Sequence, residues 1–442
     1  MLVGQGVLEK LFKLEQKGTD VKTELLAGFT TFVTLAYIIF VNPNILADAG
    51  IPKEAAIAST IYATVVATSL MGLWANFPIA VAPGMGLNAF FAYYVVGVLK
   101  LSWQVALGAV FMSGILFLIL TVGGIRQRII KAVPMNLKSA IGVGIGLFIA
   151  FIGLKNAGII IADQATFVSV GHLSAAGPLL ACIGLIISAV LMARNVKGAM
   201  LIGILATAVL GMVFGVIPAP RGIGDIMSFD LPSLSATFMQ LDIKGAWEFG
   251  IFSIIFTFTI VELFDNMGIL IGLTRKAKLM NDKGEIENLD KALTTDACGT
   301  VISSILGTST VTCYLESATG IAEGGRTGLA ALTVAGLFLV SLVFAPLVAL
   351  IPVFATAPAL ILVGALMMTE ISDVSFTDIT EGVPAFLTII MMPLTFSIAN
   401  GFAFGFISFT LLKALSGRFQ EVSLVMWGVS LAFLLNFYMR FH

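Results

Sequence analysis

At 442 residues, 58% hydrophobic and 11% charged, with a mean hydropathy of +1.04, the chain is far too apolar for a water-soluble domain. The 24 Lys and Arg against 25 Asp and Glu leave a net charge of −1, which excludes the basic footprint of a nucleic-acid binder. Cys182, Cys298 and Cys313 lie in apolar segments with neither disulfide nor metal-site spacing, so no metal or cofactor is expected.

In chain order, residues 1–24 form a charged, amphipathic N-terminal segment without a cleavable signal. Apolar runs long enough to cross a bilayer follow at about Leu25–Val41, which ends at Asn42-Pro43, at Ala55–Trp74, after Pro78, and at Ser102–Val122. Further spans are predicted at about Leu137–Leu154, Pro178–Met192 and Ala199–Ile217, before a polar connector over Pro218–Trp247. The second half reads as spans at about Glu248–Leu273, Ala292–Leu306, a broken tenth over Thr312–Arg326, and Gly328–Leu350. Ala357–Met368, Val383–Ile398 and Phe402–Leu415 complete a series of seven per half, with Leu424–Tyr438 left over. Seven spans per half give the halves opposite orientation, the arithmetic of an inverted repeat.

Loop charges orient the chain. Lys10–Lys22, Arg126–Lys138, Arg194 with Lys197, Arg275–Lys291, Arg326, Lys413 and Arg418 fall on one side, and Lys53, Lys100, Lys155, Arg221 and Lys244 on the other. The N-terminus is therefore expected in the cytoplasm.

Polar groups inside spans mark function, because a charge at the centre of a span costs roughly 2.5–3.5 kcal/mol on insertion scales. Glu262 and Asp265 are three apart and share a helix face, with Phe258 and Thr259 one turn earlier. Glu316 stands at the tip of the broken tenth span, after the Ser/Thr-rich run Gly307–Cys313. These three carboxylates are expected to converge on one aqueous pocket, to accept hydrogen bonds from the ring N–H groups of a flat heterocycle, and to ferry a proton. Asn88 would stand at the facing half-helix, with Gly84 and Gly86 permitting close backbone approach. Asp296 is a candidate for proton release, and Thr30, Thr31 and Thr34 for cavity lining. Glu323 and Arg326 are expected to pair at i,i+3, and Asp373, Asp378 and Glu381 to form a solvated loop.

Four stretches, Gly28–Pro43, Ala82–Phe91, Val261–Asp265 and Tyr314–Gly328, resemble the azaguanine-type purine permeases, a branch of the nucleobase–cation symporters. The resemblance runs nearly end to end. It implies an all-α polytopic membrane protein with the fold of uracil permease: fourteen spans as two inverted seven-span repeats. Spans three and ten would each hold a short strand and a half-helix. A core domain (25–122 and 248–350) would move against a gate domain (137–217 and 357–415), with 421–442 as a C-terminal apolar helix outside that plan.

The resemblance further implies import of adenine, guanine or hypoxanthine by proton symport across the cell membrane, and frequent homodimers. By motif, the substrate-contacting positions are Asn88, Glu262, Asp265 and Glu316, joined by Gly84, Gly86, Thr31, Tyr314, Leu315 and Ser317; Glu262, Glu316 and Asp296 are the candidates for proton coupling. Glu262 departs from the family pattern, where Asp is more frequent. The competing readings are a uracil or xanthine permease, an anion exchanger of the sulfate-permease architecture, which the acidic site disfavours, and an intramembrane enzyme, for which no nucleophile–base pair is present.

Overall fold

A computed structural model describes residues 2–249, 254–279 and 286–441. The described chain is mostly helical, and eight of its helical stretches are long and apolar enough to cross a membrane. It is a multi-pass membrane protein.

Helix α1 (Leu2–Phe12) precedes a first span made of α2 (Val21–Leu35) and α3 (Ile38–Asp48). Asp20 starts α2 by accepting from the Thr23 amide at 2.9 Å, the usual N-cap bond. The span does not end at Asn42-Pro43 as expected. Its break comes earlier, at Ala36-Tyr37, where the chain tightens into i−3 bonds (Ile39 N to Ala36 O, 3.2 Å; Phe40 N to Tyr37 O, 3.1 Å). Pro43 then sits inside α3, tolerated because buried neighbours surround the helix on every side.

After α4 (Lys53–Leu70) comes strand β1 (Val81–Pro83), the short helix α5 (Met85–Ala89) and its π-helical continuation over Phe90–Val98. Helices α6 (Trp103–Val122), α7 (Ile125–Ala132) and α8 (Met135–Asn156) follow. A hairpin of β2 (Ile160–Asp163) and β3 (Phe167–Val170), absent from the sequence reading, leads to α9 (Ala176–Ala193) and α10 (Ala199–Val213). The connector holds only a 3-10 turn at Ile223–Asp225 before α11 (Ile243–Phe249).

The second half runs through α12 (Phe256–Lys276), α13 (Leu289–Leu306), strand β4 (Val311–Cys313) and the half-helix α14 (Ser317–Ala322). Then come α15 (Gly328–Ser341), α16 (Ala345–Leu350), α17 (Val353–Met367), α18 (Ile379–Leu394), α19 (Ile398–Leu415) and α20 (Leu424–Phe441).

Packing sorts the helices into two groups. In one, α2 and α4 pack on α15, α6 and α4 on α13, and α12 on α6. In the other, α8 packs on α17 and α18, α18 on α19, and α9 on α10 and α17. The first group is knotted together by polar side chains that serve as caps. Glu24, fully buried on α2, accepts from the amides of Arg326 (2.7 Å), Thr327 (3.3 Å) and Ala330 (3.2 Å) and so caps α15 from another helix. Helix α20 lies across the two groups: Phe433 meets Phe256 of α12 edge-on at 5.2 Å, and Ser430 bonds Thr410 of α19 at 2.7 Å.

Three expectations fail here. Glu323 pairs with Lys197 at 2.5 Å, while Arg326 donates to the carbonyls of Ile321 and Gly325, because the chain turns between them at Gly324 (φ +105) and no helical i,i+3 face exists. Asp378 and Glu381 are not a solvated loop. Asp378 bonds Arg418 at 2.6 Å and Glu381 bonds Lys413, itself fully buried, at 3.0 Å. Arg126, counted as a loop cation, is 1% exposed.

Candidate functional site

The two broken spans meet at their strands. Val81, Ala82 and Pro83 pair antiparallel with Cys313, Thr312 and Val311. Both strands are fully buried, so each must satisfy the other's backbone groups. Side chains finish the pairing: Thr68 bonds both the amide and carbonyl of Val81, the Ala80 amide donates to Ser317 Oγ (3.0 Å), and Tyr314 donates its hydroxyl to the Pro83 carbonyl. Gly307 (φ +96) ends α13 and turns the chain into the Ser/Thr run, against Thr237 of the connector.

From each strand a half-helix departs, α5 on one side and α14 on the other. Beside them opens a cavity of about 540 Å³, within the range of small-molecule sites. Tyr37, Met85, Gly86, Phe264 and Thr312–Glu316 line it from the first helical group, and Ile141, Ile145, Ile149, Val363 and Met367 from the second. Lys138, Arg275, Glu370 and Asp373 stand toward one end. Glu316 brings a carboxylate into these largely apolar walls. The Tyr37 hydroxyl donates to its Oε1 at 2.7 Å.

Of the residues expected in the site, Gly86, Tyr314, Leu315 and Glu316 line the cavity. Gly84 is the N-cap of α5, where a Cβ would lie 2.9 Å from the Thr312 side chain, so its absence permits the strand contact. Thr31 packs against Gly320 of α14, and Thr34 bonds Thr319 at 3.0 Å besides its own helix carbonyls. Ser317 is the strand cap described above.

Asn88 is fully buried and does not line the cavity. Its Nδ2 donates to Asn42 Oδ1 at 2.5 Å, and the Ser309 hydroxyl donates to its Oδ1. Asn42 continues to Thr60 (2.8 Å) and Thr308 (3.2 Å), so one amide network ties span one, α4, α5 and the Ser/Thr run together.

Glu262 is likewise sealed, and the Thr300 hydroxyl of α13 donates to it. Thr259 bonds Ser113 of α6 at 3.0 Å, and Phe258 meets Phe90 at 5.0 Å, so this face of α12 turns into the helical group and away from the cavity. Phe264 takes the cavity-lining place instead. The side chain of Asp265 lies outside the described residues, as does Lys283. Asp296 is buried against Arg126, its Oδ2 3.3 Å from Nη2, with the guanidinium 4.2 Å over the Phe117 ring. Asn266 of α12 accepts from the Cys313 amide at 3.0 Å, completing the polar seam behind β4.

Residues 22–404 match the profile of the permease family Xan_ur_permease. The chain belongs to this permease family. Among its relatives, a putative permease of Methanocaldococcus jannaschii is 50% identical, over 97% of this chain and 98% of that protein. Adenine permease AdeP of Escherichia coli is 43% identical over 98% and 96%. Guanine/hypoxanthine permease PbuO of Bacillus subtilis is 44% identical over 93% and 96%. In fold, the permease is similar to the transmembrane domain of a cyanobacterial bicarbonate transporter, BicA, with a TM-score of 0.64 over 85% of this chain and 95% of that one, at 17% identity. As a permease the protein is a transporter and not an enzyme. The family match ends inside α19, leaving α20 beyond it.

Proposed function

We propose that the permease imports purine nucleobases by proton symport. The observation that carries this reading is the Glu316 carboxylate at the start of α14, facing an otherwise largely apolar cavity of about 540 Å³ under the Tyr37 hydroxyl. A carboxylate accepts from the ring N–H groups of a neutral base, and Phe264 with Ile145 supplies apolar walls for its faces. The near full-length relatives that carry adenine or guanine and hypoxanthine in their names support the same substrate class.

In this reading Gly86, Tyr314, Leu315 and Glu316 contact the base, and Asn88, Gly84, Thr31 and Ser317 fix the half-helices around it. Glu262, held out of the cavity by Thr300, carries the coupling proton, and Asp265 lies one turn beyond it on α12. Asp296, already paired with Arg126, is the weaker proton site. Glu316, at a half-helix N-terminus, is the better anionic ligand.

The fourteen-span plan of two inverted repeats accommodates the helices, if α10, α12, α13, α18 and the broken spans at β1–α5 and β4–α14 are counted beside the eight long apolar stretches. The first helical group is then the core (25–122 and 248–350) and the second the gate (137–217 and 357–415). The core slides against the gate with the base between them, in the manner of an elevator. With the N-terminus cytoplasmic and the protein in the cell membrane, the Lys138, Arg275 and Glu370 end of the cavity faces inward. The protein works as a homodimer.

A uracil or xanthine permease is the nearest alternative, and competition among adenine, guanine, hypoxanthine, xanthine and uracil separates the two. The likeness to BicA concerns fold alone, and an anion would meet the Glu316 charge unfavourably. The central test is Glu316→Gln in a purine-uptake-deficient host: uptake is lost while the protein reaches the membrane at normal abundance. Retained uptake rejects the site. A protonophore abolishes accumulation; accumulation that follows a sodium gradient instead rejects proton coupling.

A further inference from the structure

Nothing in the sequence marks Tyr37, yet its hydroxyl is the group that donates to Glu316. We infer that Tyr37 is a specificity-determining residue of the base site, an inference that rests on the purine reading above. Its hydroxyl has one hydrogen, and that hydrogen is committed to Glu316 Oε1 at 2.7 Å. Toward a ligand, Tyr37 Oη therefore offers lone pairs only, as does the Glu316 carboxylate in the anionic role assigned to it above. The pair forms an edge of adjacent acceptors with no donor.

The edge is rigidly held. Tyr37 sits at the break between α2 and α3 and is 1% exposed. Three residues earlier, Thr34 bonds Thr319 of α14 at 3.0 Å, and Thr319 in turn donates to the Glu316 carbonyl at 2.7 Å. The break in span one and the tip of α14 therefore move as one piece.

An acceptor-only edge selects a base that presents two neighbouring N–H donors, a ring N–H beside an exocyclic amino group. A 2-amino-6-oxopurine presents that pair, and a 6-oxopurine without the amino group presents one donor and a C–H. A site built to satisfy polar groups discriminates against the analogue that leaves one unpaired. The wild type is accordingly expected to favour guanine over hypoxanthine.

The test is radiolabelled guanine uptake, with competition by unlabelled guanine and hypoxanthine, for wild type, Tyr37→Phe and Tyr37→His. In Tyr37→Phe the guanine KM rises about tenfold, the upper end for one lost neutral hydrogen bond, at unchanged maximal rate. The ratio of half-inhibitory concentrations for the two bases narrows toward one. Tyr37→His, with a ring that donates from one nitrogen and accepts at the other, recovers part of both. That ratio does not depend on how much protein reaches the membrane, so it decides the matter even where a variant folds poorly. An unchanged ratio in Tyr37→Phe overturns the inference and leaves the purine reading intact, as does an equal fall in maximal rate for both bases at unchanged KM. A wild type that takes up neither base overturns both.

Discussion

Arg126 and Asp296 form an ion pair in the interior of the first helical group, Nη2 to Oδ2 3.3 Å, each side chain 1% exposed. Arg126 belongs to α7, the short helix joining α6 to α8, and Asp296 to α13. The pair therefore pins the connection between the two helical groups onto the first of them.

Removing one partner leaves the other charge buried alone, so Arg126→Leu and Asp296→Leu each destabilise by about 3–5 kcal/mol. The double variant Arg126→Met with Asp296→Leu regains most of that loss, since well-packed apolar replacements of a buried pair are often neutral. Melting temperatures of the three purified variants in detergent check this. A double variant as unstable as the worse single one rejects it.

Glu24 holds three amides at the start of α15. Glu24→Ala leaves them without that cap and costs about 1–2 kcal/mol, at the upper end for an N-cap because the site is buried. Glu24→Gln keeps an acceptor oxygen and loses less. The same melting assay ranks the two, and equal losses would show that the charge and not the cap matters.

Asn88→Ala strips the network of its centre, leaving Asn42 Oδ1 and the Ser309 hydroxyl without that partner in a dry interior. The expected cost is about 1–3 kcal/mol, with a raised KM for every base alike, because the half-helices loosen without losing a ligand contact. Base-selective loss of affinity would instead place Asn88 in direct contact with the substrate.

At the ends of α18 and α19, hydrogen bonds from Arg418, then from Lys413, hold Glu421 down to about 2 from an ordinary 4.5. Bonds from Thr380, then Arg418, hold Asp378 well below the usual carboxylate range. Both folded-state values are depressed, so their contribution to stability is complete above about pH 4.5 and is lost as pH falls toward 2. Stability in detergent is therefore flat on this account between pH 8 and 5 and falls below it. Arg418→Gln flattens the acid limb; an acid limb that survives this change unaltered assigns it to other carboxylates.

The parts of this architecture that interrupt an apolar run were legible in the sequence. Glu316 stands out because a carboxylate there has no cheap solution in lipid, and Gly86 because its neighbours break the helical period. Tyr37 carries no such mark: an aromatic ring at the end of an apolar segment is as ordinary as a Phe, and only the fold shows where its hydroxyl goes. Arg126 was hidden for the opposite reason. A cation between spans reads as solvated, and its burial depends on an aspartate 170 residues away. Glu262 was legible as a buried acid but not in its direction. Helical spacing fixes which residues share a face, and not whether that face meets a cavity or another helix.

Strands β1 and β4 complete each other across 232 residues (313 − 81). During synthesis, at roughly 5–20 residues per second, β1 waits about 12–46 s for its partner to be made. Throughout that interval Thr68 can already hold Val81, but the Ala80 carbonyl and the Gly84 amide on either side of the strand lie among apolar spans without their partners at Tyr314 and Thr310. The first half thus has a built-in period of vulnerability during biogenesis. Whatever shelters it then, whether an insertase, a chaperone or transiently admitted water, matters to the yield of folded transporter as much as the finished contacts do to its stability.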